Sequence, residues 1–358
     1  MEEKILKHEE ESKLFEEQDE ERAVAKDFRS EIDRIVKEGT LPPVSIDIFF
    51  SSHGTPEDIK GFEDRLKDAD VYIPEALLWN EEALAGFRDV SAGKKEPQEL
   101  LKELGVKNTK TRNYAVTLHR LKVLYNSGKP VGFIDLPANT RLAEEYFKNI
   151  TFNLAKSETF NDSIRAFCDY EKDRARLETM REEHMLNSLG KVLQEIVRAH
   201  PKLAKKEKLN VLLTLGSAHT GVFHGLAMSD KNEATRSFST MPYQWGYETE
   251  ILRRYRFGKP VDRILASRGL FEKILMAHLP ELFWLDSEKS DTQVMISRHI
   301  ISVFSAEDIQ HVIESKTEEE FLGIFFTAIE EKGLKPYVKE IMQKHFAKED
   351  KNNATLKE

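Results

Sequence analysis

Four short apolar runs interrupt a chain that otherwise alternates with helical spacing: VSIDIFF at 44–50, DVYIP at 70–74, VGFID at 131–135 and NVLLTLG at 210–216. Their β-branched and aromatic content predicts strands. Each stops at or just before a polar residue: His53, Glu75, Asp135 and His219. The stretch PEDIKGFEDRLKDA between the first two runs predicts a helix, and strand, helix, strand is the order a parallel crossover requires. If the runs are neighbouring parallel strands, the four polar side chains share one sheet edge, where open α/β folds bind ligands.

Elsewhere the pattern is helical. Residues 77–128 predict helices broken near Gly93 and Gly105, and 140–200 predict a long helical stretch interrupted near Asn161-Asp162-Ser163. After His219 the chain reads as irregular, with an aromatic loop carrying Tyr243, Trp245 and Tyr247, and then as helical to about residue 348. The expected architecture is α/β: a small, mainly parallel sheet surrounded by many helices, with a charged amino-terminal helix and a helical carboxy-terminal region. The expected divisions are 1–40 for an amphipathic helix whose narrow apolar face carries Val24, Phe28, Ile32 and Ile35, 41–230 for the core with the site, 231–348 for the helical region, and 349–358 for a frayed tail.

Charge and composition narrow the function. The 358 residues carry a net charge of -9, and residues 1–39 hold 14 Asp or Glu against 8 Lys or Arg. That balance argues against a nucleic-acid or anionic-membrane partner, and leaves the amino-terminal helix as a surface for a protein partner. Cys168 is the sole cysteine, so one chain can build neither an internal disulfide nor a thiolate cluster, and AFCDY reads as a small core position. No basic start followed by an apolar stretch marks a signal peptide, and no apolar run approaches the ~20 residues needed to span a bilayer, so a cytoplasmic protein is expected.

The strand-end residues carry the candidate chemistry. His53 lies in SSHGTPE, where Gly54 permits a sharp turn and Glu57 falls in the first turn of the next helix. Glu75 has the same address one strand over, and Arg181 in REEHMLN is the expected cation beside it. His184 shares the helix face of Arg181 and reads better as a solvated position; His219 and His224 straddle a helix start; Asp135, ahead of Leu-Pro-Ala-Asn, reads as an ordinary turn residue. Imidazoles and carboxylates together suit a divalent cation such as manganese, cobalt or zinc, with His53, Glu75 and His219 as the expected ligands. No GxSxG elbow, phosphate-binding glycine loop or paired CxxC is present.

HGTPE at 53–57, the strand-ending Glu75, REEHM at 181–185 and GSAHTG at 216–221, in that order, resemble the superfamily of erythromycin esterase-like, ChaN-like and TraB/PrgY/Tiki proteins. The resemblance covers residues 44 to about 230 and implies a cleft formed by His53, Glu75, Arg181 and His219. Members include ester hydrolases, metal-dependent proteases and a haem-binding protein, so fold alone does not give function. Phe50 stands where the esterase-like members carry a glutamate, and His219 and His224 are five apart where those members space two histidines more closely. The expectation is a hydrolase of an ester or amide bond in a small molecule or peptide, with water activated by His53 or by a metal, and Arg181 facing the attacked carbonyl. The alternative is a non-catalytic module for a small ligand, a metal or haem.

Overall fold

The computed structural model describes residues 36, 38–51, 59, 61–106, 112–149, 159–226, 233–239, 246–282, 290–315 and 317–336. Among them are four strands, β1 (Val44–Ser51), β2 (Val71–Pro74), β3 (Leu209–Gly216) and β4 (Glu233–Phe238). They pair in the order β2-β3-β1-β4, every pairing parallel. β3, the third strand in the chain, therefore sits between the first two. This makes the fold α/β with a small all-parallel sheet, and among the described residues beyond 246 the elements are helices.

The chain divides into two compact units. The first comprises residues 1–150, 173–241 and 256–258. It holds the sheet and, ahead of the long helix, α1 (Phe62–Asp68), α2 (Glu81–Ser91), α3 (Pro97–Glu103), α4 (Arg112–Leu124) and α5 (Arg141–Asn149). Helix α6 (Phe160–Ala199) contributes its residues from Asp173 onward, and α7 (Thr220–Leu226) follows β3.

Alternation along the strands sends successive side chains to opposite faces. Ile46, Ile48 and Phe50 of β1, Val71 and Ile73 of β2, and Leu213 and Leu215 of β3 face one core, closed by Met185, Leu189, Leu193 and Ile196 of α6. Phe49, Tyr72 and Leu212 face the other, closed by Phe62 of α1, Leu84 and Val90 of α2, Leu100 of α3 and Leu121 of α4. With both faces covered, the strands read as near-continuous apolar runs, as buried parallel strands do.

The second unit comprises residues 151–172, 242–255 and 259–358. It contains the start of α6, most of α8 (Tyr247–Arg256), and α9 (Arg263–Leu282), α10 (Ser290–Val303), α11 (Ala306–Ile313) and α12 (Glu318–Glu331). Its core packs Phe271, Leu275, Ile300, Phe304 and Phe325. A reciprocal cap between Ser305 and Asp308 opens α11.

Three elements differ from the sequence reading. VGFID is not a strand: 131–137 runs beside β2 and the segment that follows it, with isolated bridges at Tyr72 with Val131 and at Trp79 with Pro137. The Tyr72 N–H donates to the Pro130 carbonyl and the Gly132 N–H to the Tyr72 carbonyl, but Pro74, next in that register, has no N–H to continue the ladder. The fourth strand is instead β4, EATRSF, a largely exposed edge strand without the apolar signature of the others. Finally, Asn161-Asp162-Ser163 does not break the long helix; it forms the first turn of α6, where the Thr159 hydroxyl accepts from the Asp162 N–H at 3.2 Å. The expected helix over 1–40 and the tail 349–358 lie outside the described residues, apart from Val36 and 38–40.

Candidate functional site

The carboxyl ends of β2 and β3 are adjacent. From β2 the chain leads toward α2 on one face; from β3 it leads to α7 on the other, where Val222 and Leu226 join the α6-side core. Divergence of neighbouring connections opens a crevice at the strand ends. Glu75 follows β2 directly, and its N–H donates to the Thr214 carbonyl at 2.8 Å, extending the register by one residue. Its carboxylate accepts from the Gly216 N–H at the end of β3. The sheet thus fixes Glu75 at both backbone and side chain.

Arg181 reaches this point from α6. Its Nε donates to Asp135 Oδ1 at 2.8 Å and its Nη2 to Asp135 Oδ2 at 2.6 Å, a forked pair, while Nη2 also meets Glu75 Oε1 at 2.7 Å. Nη1 donates to the Tyr146 hydroxyl at 3.3 Å and lies 3.7 Å from Glu178 Oε2. Burial alone would weaken the guanidinium's hold on its proton, but Asp135, Glu75 and Glu178 more than reverse that and keep it ionised. Each guanidinium nitrogen has a partner in the protein. At 3% exposure, Arg181 is held among these side chains.

His219 enters from the turn between β3 and α7. Its Nε2 is 3.2 Å from Glu75 Oε1, and its Nδ1 is 3.5 Å from Glu182 Oε1 and 3.7 Å from Glu178 Oε2. The two Nδ1 distances exceed ordinary hydrogen bonds, and those three atoms have no hydrogen-bond partner among the described residues, so the attraction there is coulombic. Burial and the nearby Arg181 both favour the neutral ring; Glu75 and Glu182 outweigh them and lift His219 to about 10. The charge count agrees. Glu75, Asp135, Glu178 and Glu182 pair with the guanidiniums of Arg181 and Arg256, and a positive charge on His219 adds to these in balancing the four carboxylates.

The remaining members hold this arrangement in place. The Tyr146 hydroxyl donates to Glu178 Oε1 at 2.5 Å, and burial together with Glu178 pushes its own ionisation far above the ordinary phenol range. Against the effect of its burial, His219, Arg181 and Tyr146 hold Glu178 below the ordinary carboxylate range. Arg256 pairs with Glu182 and donates from Nη1 to the Ala218 carbonyl at 2.5 Å, next to His219. Helix α7 comes this close because Gly221 and Gly225 face α6. A Cβ at Gly221 would lie 2.1 Å from Glu182 Oε2, and one at Gly225 would lie 2.6 Å from Leu186.

Of the residues expected at the site, Glu75, Arg181 and His219 meet, and Asp135, expected as a turn residue, is a full member. His53 lies outside the described residues, as do Tyr243 and Trp245 of the aromatic loop. His184 lies 3.3 Å from the Ser188 hydroxyl and borders Asp135; burial lowers its pKa against the opposing pull of Asp135. His224 packs edge-on against Phe223 and Phe257. Of the expected metal set His53, Glu75 and His219, the described residues include Glu75 and His219, which lie 3.2 Å apart. Among the described residues no group of three or more His, Cys, Asp or Glu side chains has the geometry to hold a metal ion.

Glu178, Glu182, Tyr146 and Arg256 were not singled out in the sequence. The first two carried a signal, since 178, 181, 182 and 185 share one helix face. Beside the network, on the α4 side of the sheet, a cavity of about 250 Å³ opens between β2, β3, α2 and α4, and Glu75 is the one network residue on its wall. Among the described residues no helix is long and apolar enough to cross a membrane. Comparison with family models, curated proteins and solved structures gave no match.

Proposed function

We propose that the chain is a hydrolase of an ester or amide bond whose working carboxylate is Glu75. One observation carries this reading: Glu75 belongs both to the buried ion network and to the wall of the cavity. A substrate carbonyl in the cavity would meet a carboxylate fixed by Arg181, His219 and the Gly216 N–H. Glu75 takes the proton of the attacking water as oxygen bonds to the carbonyl carbon. The same proton then passes to the departing alcohol or amine oxygen or nitrogen. Arg181 and His219 are positioning residues. His219, already protonated near neutral pH, does not serve as the base. His53 follows β1, whose last residue Ser51 pairs with Gly216, and it is the candidate for a second proton carrier.

The test is turnover of a panel of nitrophenyl esters and anilides by the purified chain. Glu75→Gln is expected to lower kcat/KM by at least ~100-fold with little change in KM. A parent without activity on any member, or a Glu75→Gln variant as active as the parent, overturns the reading. A second reading, a non-catalytic module for a small ligand, is favoured by the internal use of every Arg181 nitrogen, and predicts binding without turnover.

A further inference from the structure

The cavity has a recognition chemistry that the proposed reaction does not use. Helix α4 lines it with Val116, Thr117, Arg120 and Leu121, four residues that share one helix face. Arg120 is steadied by the ring of Phe62, 5.6 Å from its guanidinium carbon. On the sheet side, the Tyr72 and Thr214 hydroxyls lie 3.2 Å apart and buried. Burial pushes the Tyr72 phenol up, and Arg120 is near enough for its charge to oppose that shift. Arg120, Thr117, Tyr72 and Thr214 therefore line a half-open space whose other walls include Leu77 and Phe87.

We propose that this cavity binds a small monocarboxylate with an apolar body, its carboxylate on Arg120 and its body against Phe87, Val116 and Leu121. A planar fork suits a carboxylate. A phosphate dianion is disfavoured because the cavity offers one cation and also carries Glu75. At about 250 Å³ the space falls below the ~300–1,000 Å³ of drug-sized ligands, which limits the body to a single ring or a short branched chain. The proposal stands apart from hydrolysis, since occupancy is measured without turnover.

Titration calorimetry with phenylacetate tests it. The parent is expected to bind, Arg120→Met to bind at least ~10-fold more weakly, as loss of a charge-assisted contact implies, and benzylamine not to bind. Equal affinity in Arg120→Met, binding of benzylamine as tight as that of phenylacetate, or no heat from the parent at about 10 mM ligand overturns it. Circular dichroism checks that each variant is folded. Should Arg120→Met fail to fold, Val116→Trp asks the same question from the apolar wall: lost binding supports the site, and unchanged binding overturns it.

Discussion

Two sides of one strand edge solve opposite problems. Toward α6, four carboxylates, two guanidiniums and an imidazole are packed so closely that Asp135, Arg181 and His219 are nearly inaccessible. Toward α4, the same strand ends border open space, and the charged side chains on its wall are Glu75 and Arg120. Charge buried without space can orient but cannot exchange with solvent or substrate; space with few charges can admit a ligand. Glu75 joins the two, which is why the network reads as support and the cavity as the working surface.

The sharpest way to break that division is to remove the cation at the network's centre. Arg181→Met leaves Asp135 buried without its forked partner and deprives Glu75 and Glu178 of positive charge. Removing one member of a buried pair costs about 3–5 kcal/mol. Urea unfolding should show a loss of that order, and Arg181→Lys, which keeps charge but not the fork, a smaller one. A loss below about 1 kcal/mol for Arg181→Met would mean the network does not hold this edge together.

The second test uses pH. His219 is raised from 6.5 to about 10 in the folded chain, so its contribution is complete below pH 6.5, declines between 6.5 and about 10, and is absent above. Glu178 is held below its ordinary 4.5, so its contribution is present above that value and is lost as pH falls through the depressed one. Stability should therefore peak between the two. His219→Gln should flatten the slope between pH 6.5 and 10 in denaturant titrations; an unchanged slope would assign it to other groups.

How far the sequence reaches differs between these sides. β1, β2 and β3 were legible because both their faces are buried and their residues are apolar throughout. β4 was not, because it is an edge strand whose pairing uses backbone groups and leaves EATRSF exposed. Glu75 and His219 were legible from their place at strand ends, and Arg181 as the cation a strand-end carboxylate calls for. Arg256 was not, because no spacing in the chain announces that a residue in the α8 stretch pairs with Glu182 on α6. Arg120 was equally silent: it is an ordinary helix arginine until α4 is laid beside β2. Asp135 shows the limit of local reading. Its turn role is real, since its carboxylate accepts from the Leu136 N–H at 2.7 Å, and the same carboxylate also holds Arg181.

A smaller effect probes how α7 brings His219 into place. Gly221→Ala would put a methyl group 2.1 Å from Glu182 Oε2 and 2.7 Å from Arg256 Nη2. That pair must open or α7 must shift, and overpacking of this kind costs about 1–3 kcal/mol. Because His219 and Gly221 are two residues apart, the shift should also lower the pH at which the His219 contribution disappears. Destabilisation without a change in pH dependence would show that α7 moves as a plug and not as the carrier of the imidazole.

The smallest expected effect falls on the open side. Thr214→Val removes the hydroxyl that meets the Tyr72 hydroxyl at 3.2 Å and keeps the shape of the side chain. One buried hydrogen bond contributes about 1 kcal/mol, and the stranded phenol sets the upper end of the loss. Thr214 lines the cavity but makes no side-chain contact with the ion network among the described residues. Its loss should therefore lower stability slightly and leave the pH profile of His219 as it was, while altering phenylacetate affinity. If instead Thr214→Val shifts the pH profile as strongly as Gly221→Ala, charge and space are coupled through β3, and the two sides act as one site.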